Sequence, residues 1–292
     1  MRFYKTSGAP ILKMKLRIIT AIIALCVLMP FIIFSDTFML LIFSGALSAV
    51  AIGEMFNCIG ILKKLYITIP AMLVSTAAVL LTRLLPNDGN YLAVAFIVYF
   101  IFLLYTLTAA VFSRSKLDVT AAALGAMTTV YISFGFSSIV LLRDMPNGQY
   151  LFILAFLSPW MCDSFAYFTG MAIGKHKLIP DVSPKKTVEG AIGGIVFGTA
   201  AIVGYGALVG RYLISDLNAR ILPLIVVGII LCIISQCGDL IASLIKRHYG
   251  IKDYGKIFPG HGGVLDRFDS IIVTAPILYI LFSISDFFHL FG

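Results

Sequence analysis

Apolar residues along this chain gather into long runs. Each is about as long as the roughly 20 residues a helix needs to cross a bilayer core, and polar or glycine-rich stretches separate them. The runs predict nine spans: Leu16–Phe34, Thr37–Cys58, Ile67–Leu85, Tyr91–Phe112, Val119–Leu142, Tyr150–Gly174, Val188–Leu213, Ile221–Leu240 and Ser270–Phe288. Gly125 and Gly135 weaken the fifth and the seventh is glycine-rich, so either is expected to kink where protein, not lipid, surrounds it. The fold class that follows is all-α, a polytopic integral membrane protein. No small-residue cleavage pattern follows the first run, which is therefore read as a retained helix.

Composition agrees. Of 292 residues, 60% are hydrophobic and 12% charged, and the mean hydropathy is +1.01. That leaves too little polar surface to cover a water-exposed globule. A net charge of +8 would suggest a nucleic-acid partner in a soluble protein. Here its placement gives another reason, and no nucleic acid is expected. With nine spans, 18 of the 22 Lys and Arg fall on the side of the N-terminus, and only Arg83, Arg143, Arg211 and Arg220 on the other. The bias of basic residues toward cytoplasmic loops places the N-terminus in the cytoplasm. It places the two polar loops, 175–187 and 246–269, on the same face. The chain then divides into an N-terminal helical region, 1–115, read as support for assembly, and a region 116–292 that holds both polar loops. Lys63 and Lys64 read as orientation signals beside anionic headgroups. The five cysteines lie in apolar segments without a C-x-x-C pair and read as small core residues.

The chemistry concentrates in Ser243–Asp269, which carries eight of the chain's 36 charged residues between two apolar runs. Lys246, Arg247, Lys252, Lys256 and Arg267 supply cationic donors; Asp253, Asp266 and Asp269 supply hard oxygen ligands. Glycines among them let backbone approach a ligand closely. That mixture suits a phosphate handled through a divalent metal. Asp239 and Ser243, four apart on a helix, share a face with Lys246 and Arg247. Asp239 and Asp266 could hold Mg²⁺ with positions open for substrate phosphate, or could merely pair with Arg247 and Arg267. His261, between glycines, suits a donor to phosphate; His176, His248 and His289 have no companions at metal-ligand spacing. Asp163 lies deep in the sixth run, where an ionisable group usually faces a partner or a wet cavity. Glu54 invites the same argument but has no polar loop close behind it, and reads as structural. In the loop after the sixth run, Ser183, Lys185, Lys186 and Thr187 precede a helix. Thr187 or Ser183 could cap it, and its free N–H groups with two lysines would form an anion site fit for a triphosphate.

The pattern S-x-x-K-R-x4-K-D-x-G-x2-F-P-x-H-G-G-x2-D-R-x-D, from Ser243 to Asp269, resembles the signature of the phosphatidate cytidylyltransferases, or CDP-diacylglycerol synthases. Upstream, D-x-x-A-Y-x-x-G from Asp163 to Gly170, Gly174-Lys175, and S-P-K-K-T-x-E-G from Ser183 to Gly190 are similar to the same family in the same order. The resemblance covers about residues 155–275. It implies an enzyme that joins CTP and phosphatidic acid into CDP-diacylglycerol and pyrophosphate, with Mg²⁺ as cofactor, as one ion or two, and K⁺ a candidate second. It also implies a homodimer with a funnel-like site open to the cytoplasm. Carried over residue by residue, Asp239 and Asp266 become the metal ligands, with Lys246, Arg247 and Asp163 in the catalytic group. Ser243, Lys252, Asp253, His261, Arg267 and Asp269 line the site, and Ser183, Lys185, Lys186 and Thr187 form the nucleotide-phosphate loop. The alternatives are a CTP-dependent polyprenol or phytol kinase and, in another class, an anion transporter with broken helices.

Overall fold

A computed structural model describes residues 26, 29–85, 90–113, 116–212, 220–258, 260, 262–284 and 290. It is almost wholly helical. The chain runs α1 (Phe38–Ile59), α2 (Leu65–Leu84), α3 (Asn90–Phe112), α4 (Val119–Asp144) and α5 (Gly148–Ile173). A short antiparallel hairpin follows, β1 (Lys177–Ile179) with β2 (Ser183–Thr187), then α6 (Val188–Tyr212), α7 (Ile221–His248), α8 (Leu265–Phe268) and α9 (Ile271–Ile284). Seven of the described helices are long and apolar enough to cross a membrane, and α9 is a shorter apolar helix. Cys26 and residues 29–33 continue the first predicted span in helical form; residues 16–25, 27 and 28 of that span lie outside the described residues.

The helix ends carry local causes. Thr37 accepts the Met39 N–H and Asp118 accepts those of Thr120 and Ala121, each capping the helix that follows. Gly60 closes α1 with φ +82°, a left-handed conformation that costs glycine no steric strain. The expected irregularity at the glycines is corrected: α4 and α6 are continuous helices. Their glycines serve contact instead. A methyl group on Gly135 would overlap Ile272 of α9, and on Gly190, Gly193 or Gly194 it would meet atoms of Ala166, Thr169 or Cys162 in α5. Small residues let helix backbones approach where lipid offers no competing hydrophobic drive.

Two groups of helices result. In the first, α1, α2 and α4 pack on one another with α3 outside; in the second, α5, α6 and α7 pack together. Helix α9 sits between the groups against α4, α5 and α7, and one apolar core runs through both. Connections collect at two ends. At one, Arg83 forks onto Asp144 (2.7 Å) and reaches the carbonyls of Ser35 and Thr37. At the other, Lys64 reaches the carbonyl of Lys116, and the hairpin meets the end of α7, where Arg247 approaches the Val182 carbonyl (3.5 Å).

Two predicted boundaries move in ways that matter. Helix α7 continues eight residues past Leu240, so Ser243, Lys246 and Arg247 are helical and the loop begins only after His248. The other polar loop, read without regular structure, is the β-hairpin.

Candidate active site

The site forms where three elements meet: the cationic hairpin, the polar end of α7, and the segment 249–270. Thr187 ends the hairpin and starts α6. Its Oγ1 accepts the Gly190 N–H (3.1 Å), so the predicted cap is present. The predicted free N–H groups at the helix start are present only in part. Val188 N–H donates to the His176 carbonyl (2.9 Å), and Glu189 accepts the N–H groups of Lys175 and His176 as well as meeting His176 Nδ1 (2.6 Å). Of the helix's own first N–H groups, those of Val188 and Gly190 are thus taken by the chain, while the other groups that Glu189 accepts belong to the segment before the hairpin. His176 also has a companion the sequence did not suggest. Lys185 is exposed, whereas Lys186 is half-buried and pairs with Asp239 across to α7; Ser183 opens β2 opposite Ile179.

Lys246 lies two turns beyond Asp239 on α7, about 10 Å further along the axis. It is buried, pairs with Asp266 Oδ1 (2.9 Å) and lies over the Tyr254 ring (5.3 Å). Asp266 Oδ2 accepts the N–H groups of Tyr254 (2.8 Å) and Gly263 (2.9 Å). The partners of Asp239 and Asp266 are therefore Lys186 and Lys246, not the Arg247 and Arg267 of the alternative reading. Phe268, beside Asp266, anchors α8 in the core against Phe136 and Phe156.

A second carboxylate group faces a more open space. Asp163 on α5 lies within electrostatic reach of Lys186, Asp239 and Arg267; Asp269 lies within reach of Asp239, Lys246 and Asp163. Asp269 is half-buried, and burial followed by the Asp239 charge pushes its carboxyl up to about 7, against the opposing pull of Lys246 and the Ser270 N–H. Ser243 is half-buried one turn from Asp239. Arg247, Lys252, Asp253 and Arg267 are exposed, Arg267 within electrostatic reach of Asp163, and His261 lies outside the described residues.

The donor set suits a hard divalent cation. Among the described residues no three His, Cys, Asp or Glu side chains converge to hold a metal alone. That is compatible with Mg²⁺, which commonly takes one or two carboxylates and fills its remaining positions with water and substrate phosphate. Asp239, with Asp163 and Asp269 nearby, is the open part of the set; the oxygens of Asp266 already meet two amides and an ammonium.

Glu54, read from the sequence as structural, is bound into the loop of the site. Its Oε1 accepts the Val264 N–H (3.0 Å) and its Oε2 the Leu265 N–H (2.9 Å). The polar loop absent behind it in sequence arrives from 210 residues downstream. A carboxylate in an apolar run was the available signal; its partner was not visible.

The chain matches the model of the cytidylyltransferase family over residues 15–285. It is 37% identical over 272 residues to a phosphatidate cytidylyltransferase of Staphylococcus saprophyticus, covering 92% of this chain and 98% of that protein. Proteins of the same name from Staphylococcus haemolyticus and Staphylococcus aureus are 38% and 37% identical over 273 residues, with the same coverage.

Proposed function

The chain belongs to the cytidylyltransferase family, and from that premise we propose that it is a phosphatidate cytidylyltransferase, transferring CMP from CTP to phosphatidic acid with release of pyrophosphate. The observation that carries the proposal is the apposition of hairpin and α7 through Lys186 and Asp239, which puts cationic and carboxylate chemistry in one space. The membrane character of the helices suits a lipid acceptor. The basic bias of the loops suits a site facing the cytoplasm of a bacterial inner membrane, with the N-terminus on the same side. The working form is a homodimer.

A phosphate monoester already carries a nucleophilic oxygen, so the site needs no strong base. Its task is to bring two polyanions together. Lys185, Lys186, Arg247 and Arg267 relieve that repulsion and orient the phosphates for in-line attack of the lipid phosphate on the CTP α-phosphate. Asp239, with one of its neighbours Asp163 and Asp269, would hold Mg²⁺, which when bound neutralises charge on the transferring phosphoryl oxygens. Asp266 joins Lys246 in fixing the loop that carries Asp269.

The test is direct. Purified protein, cytidine-labelled CTP, phosphatidic acid and Mg²⁺ should yield label in the lipid phase and free pyrophosphate. Label released as CDP, with phosphate on a prenol acceptor, would replace this reading by a CTP-dependent lipid kinase.

A further inference from the structure

Glu54 takes no part in the steps above, yet its setting is demanding. It lies near the C-terminal end of α1, is 7% exposed, and spends both oxygens on consecutive amides of the segment 263–265. From the other side Asp266 accepts two more amides, Tyr254 and Gly263. Two carboxylates thus hold four loop amides. A four-residue helix cannot stabilise itself, and its first N–H groups lack partners within it. A carboxylate placed there meets those groups and the partial positive charge of the helix start.

The loop is also moulded on this carboxylate. A methyl group on either Gly255 or Gly263 would overlap Glu54 Oε1. The two glycines are required at those positions because an oxygen from α1 occupies the space where a Cβ would go. Gly263 joins directly to Val264 and Leu265, and these lead into Asp266 and Asp269. A shift of Glu54 therefore passes straight to Asp266 and on to Asp269, which lies within electrostatic reach of Asp239.

We propose that Glu54 is a positioning residue for the transfer reaction. It fixes the backbone of 263–265 and so sets the placement of Asp266 and Asp269. The N-terminal helical region becomes part of the construction of the site. The proposal rests on the reading of that site as the place of CMP transfer.

Three proteins test it: Glu54→Gln, Gly263→Ala, and the double variant Glu54→Asp/Gly263→Ala. Glutamine keeps the volume but turns an NH₂ donor against an amide donor. Its expected effect is a fall in kcat of about 10²-fold, the scale of a small misplacement at a reacting centre, with KM for CTP little changed. Amide hydrogen exchange should rise in peptides covering 254–268 and stay at the wild-type level in α4. Gly263→Ala should show the same signature, and shortening residue 54 to Asp should recover part of the turnover in the double variant. Wild-type kcat in Glu54→Gln overturns the proposal, as does exchange that rises equally in α4. If Glu54→Gln fails to accumulate in the membrane, Gly263→Ala decides alone, and wild-type turnover and exchange there overturn it. A wild-type protein without transferase activity defeats the functional reading, while the exchange pattern still decides whether Glu54 holds the loop.

Discussion

The two polar segments that meet at the site are held in opposite ways. The hairpin of 177–187 fixes its backbone with its own strand pairing and with the cap at Thr187, so its lysines are left to face outward or across to α7. The described residues of 249–264 have no regular secondary structure beyond a single bridge between Phe258 and Gly262. Its shape comes from charges supplied by helices, Glu54 on α1, Asp266 on α8 and Lys246 on α7. A backbone that pairs with itself tolerates changes of side chain. One held by buried charges does not, since removing one partner leaves another charge without compensation.

Substitutions can break or sharpen that contrast. The largest effect is expected where both segments converge. Asp239→Asn keeps the shape but removes the charge facing Lys186, and should lower kcat/KM by about 10³-fold or more, with membrane insertion unchanged. Wild-type turnover in a steady-state assay would remove Asp239 from the site. Next comes a matched pair of lysines. Lys246→Met strands the buried Asp266 and should cost about 3–5 kcal/mol in thermal or denaturant unfolding. Exposed Lys185→Met, on the hairpin, should stay within about 0.5 kcal/mol and act instead on KM for CTP. Equal losses in the two would erase the distinction.

A smaller effect concerns pH. The folded pKa of Asp269, about 7, lies above the ordinary value of about 3.9, so the folded state favours the neutral acid. Its stabilising contribution is complete below about pH 4 and is lost as pH rises toward 7, by at most about 1.4 kcal/mol per unit. In chelator, the melting temperature of the wild type should fall over that window, and that of Asp269→Asn should fall less. Parallel curves would place the titration elsewhere. The smallest effect belongs to the hairpin's own device: Thr187→Val removes a cap worth about 1 kcal/mol and should lower the melting temperature slightly, with KM for CTP rising only if Lys186 moves with it.

Much of the fold was legible because span length and hydropathy are local properties. Helices α3 and α4 begin within one residue of the predicted spans, and α6 begins where its span does. What misled was equally local. Glycines in α4 and α6 signalled weak helix, although their reason lies on the facing helices, in Ile272 and Thr169. The apolar span ends at Leu240, yet the helix that brings Asp239, Ser243, Lys246 and Arg247 to one face runs on to His248, and Lys246 stays buried in it because Asp266 meets it. Of the site, the residue types and their grouping were readable; their partners were not. Lys186 with Asp239 and Glu54 with Leu265 are pairs that only the folded chain brings together.

Glu54 also bears on the order in which this protein can be made. Helix α1 enters the membrane early in synthesis, before the amides of Val264 and Leu265 exist, and a carboxylate in an apolar helix costs roughly 2.5–3.5 kcal/mol on insertion scales. Helix α1 thus carries an open electrostatic demand that only a segment 210 residues further along can meet. A chain cut short before residue 254 keeps that demand unmet in the bilayer. The same bond that shapes the site therefore separates a finished chain from an unfinished one.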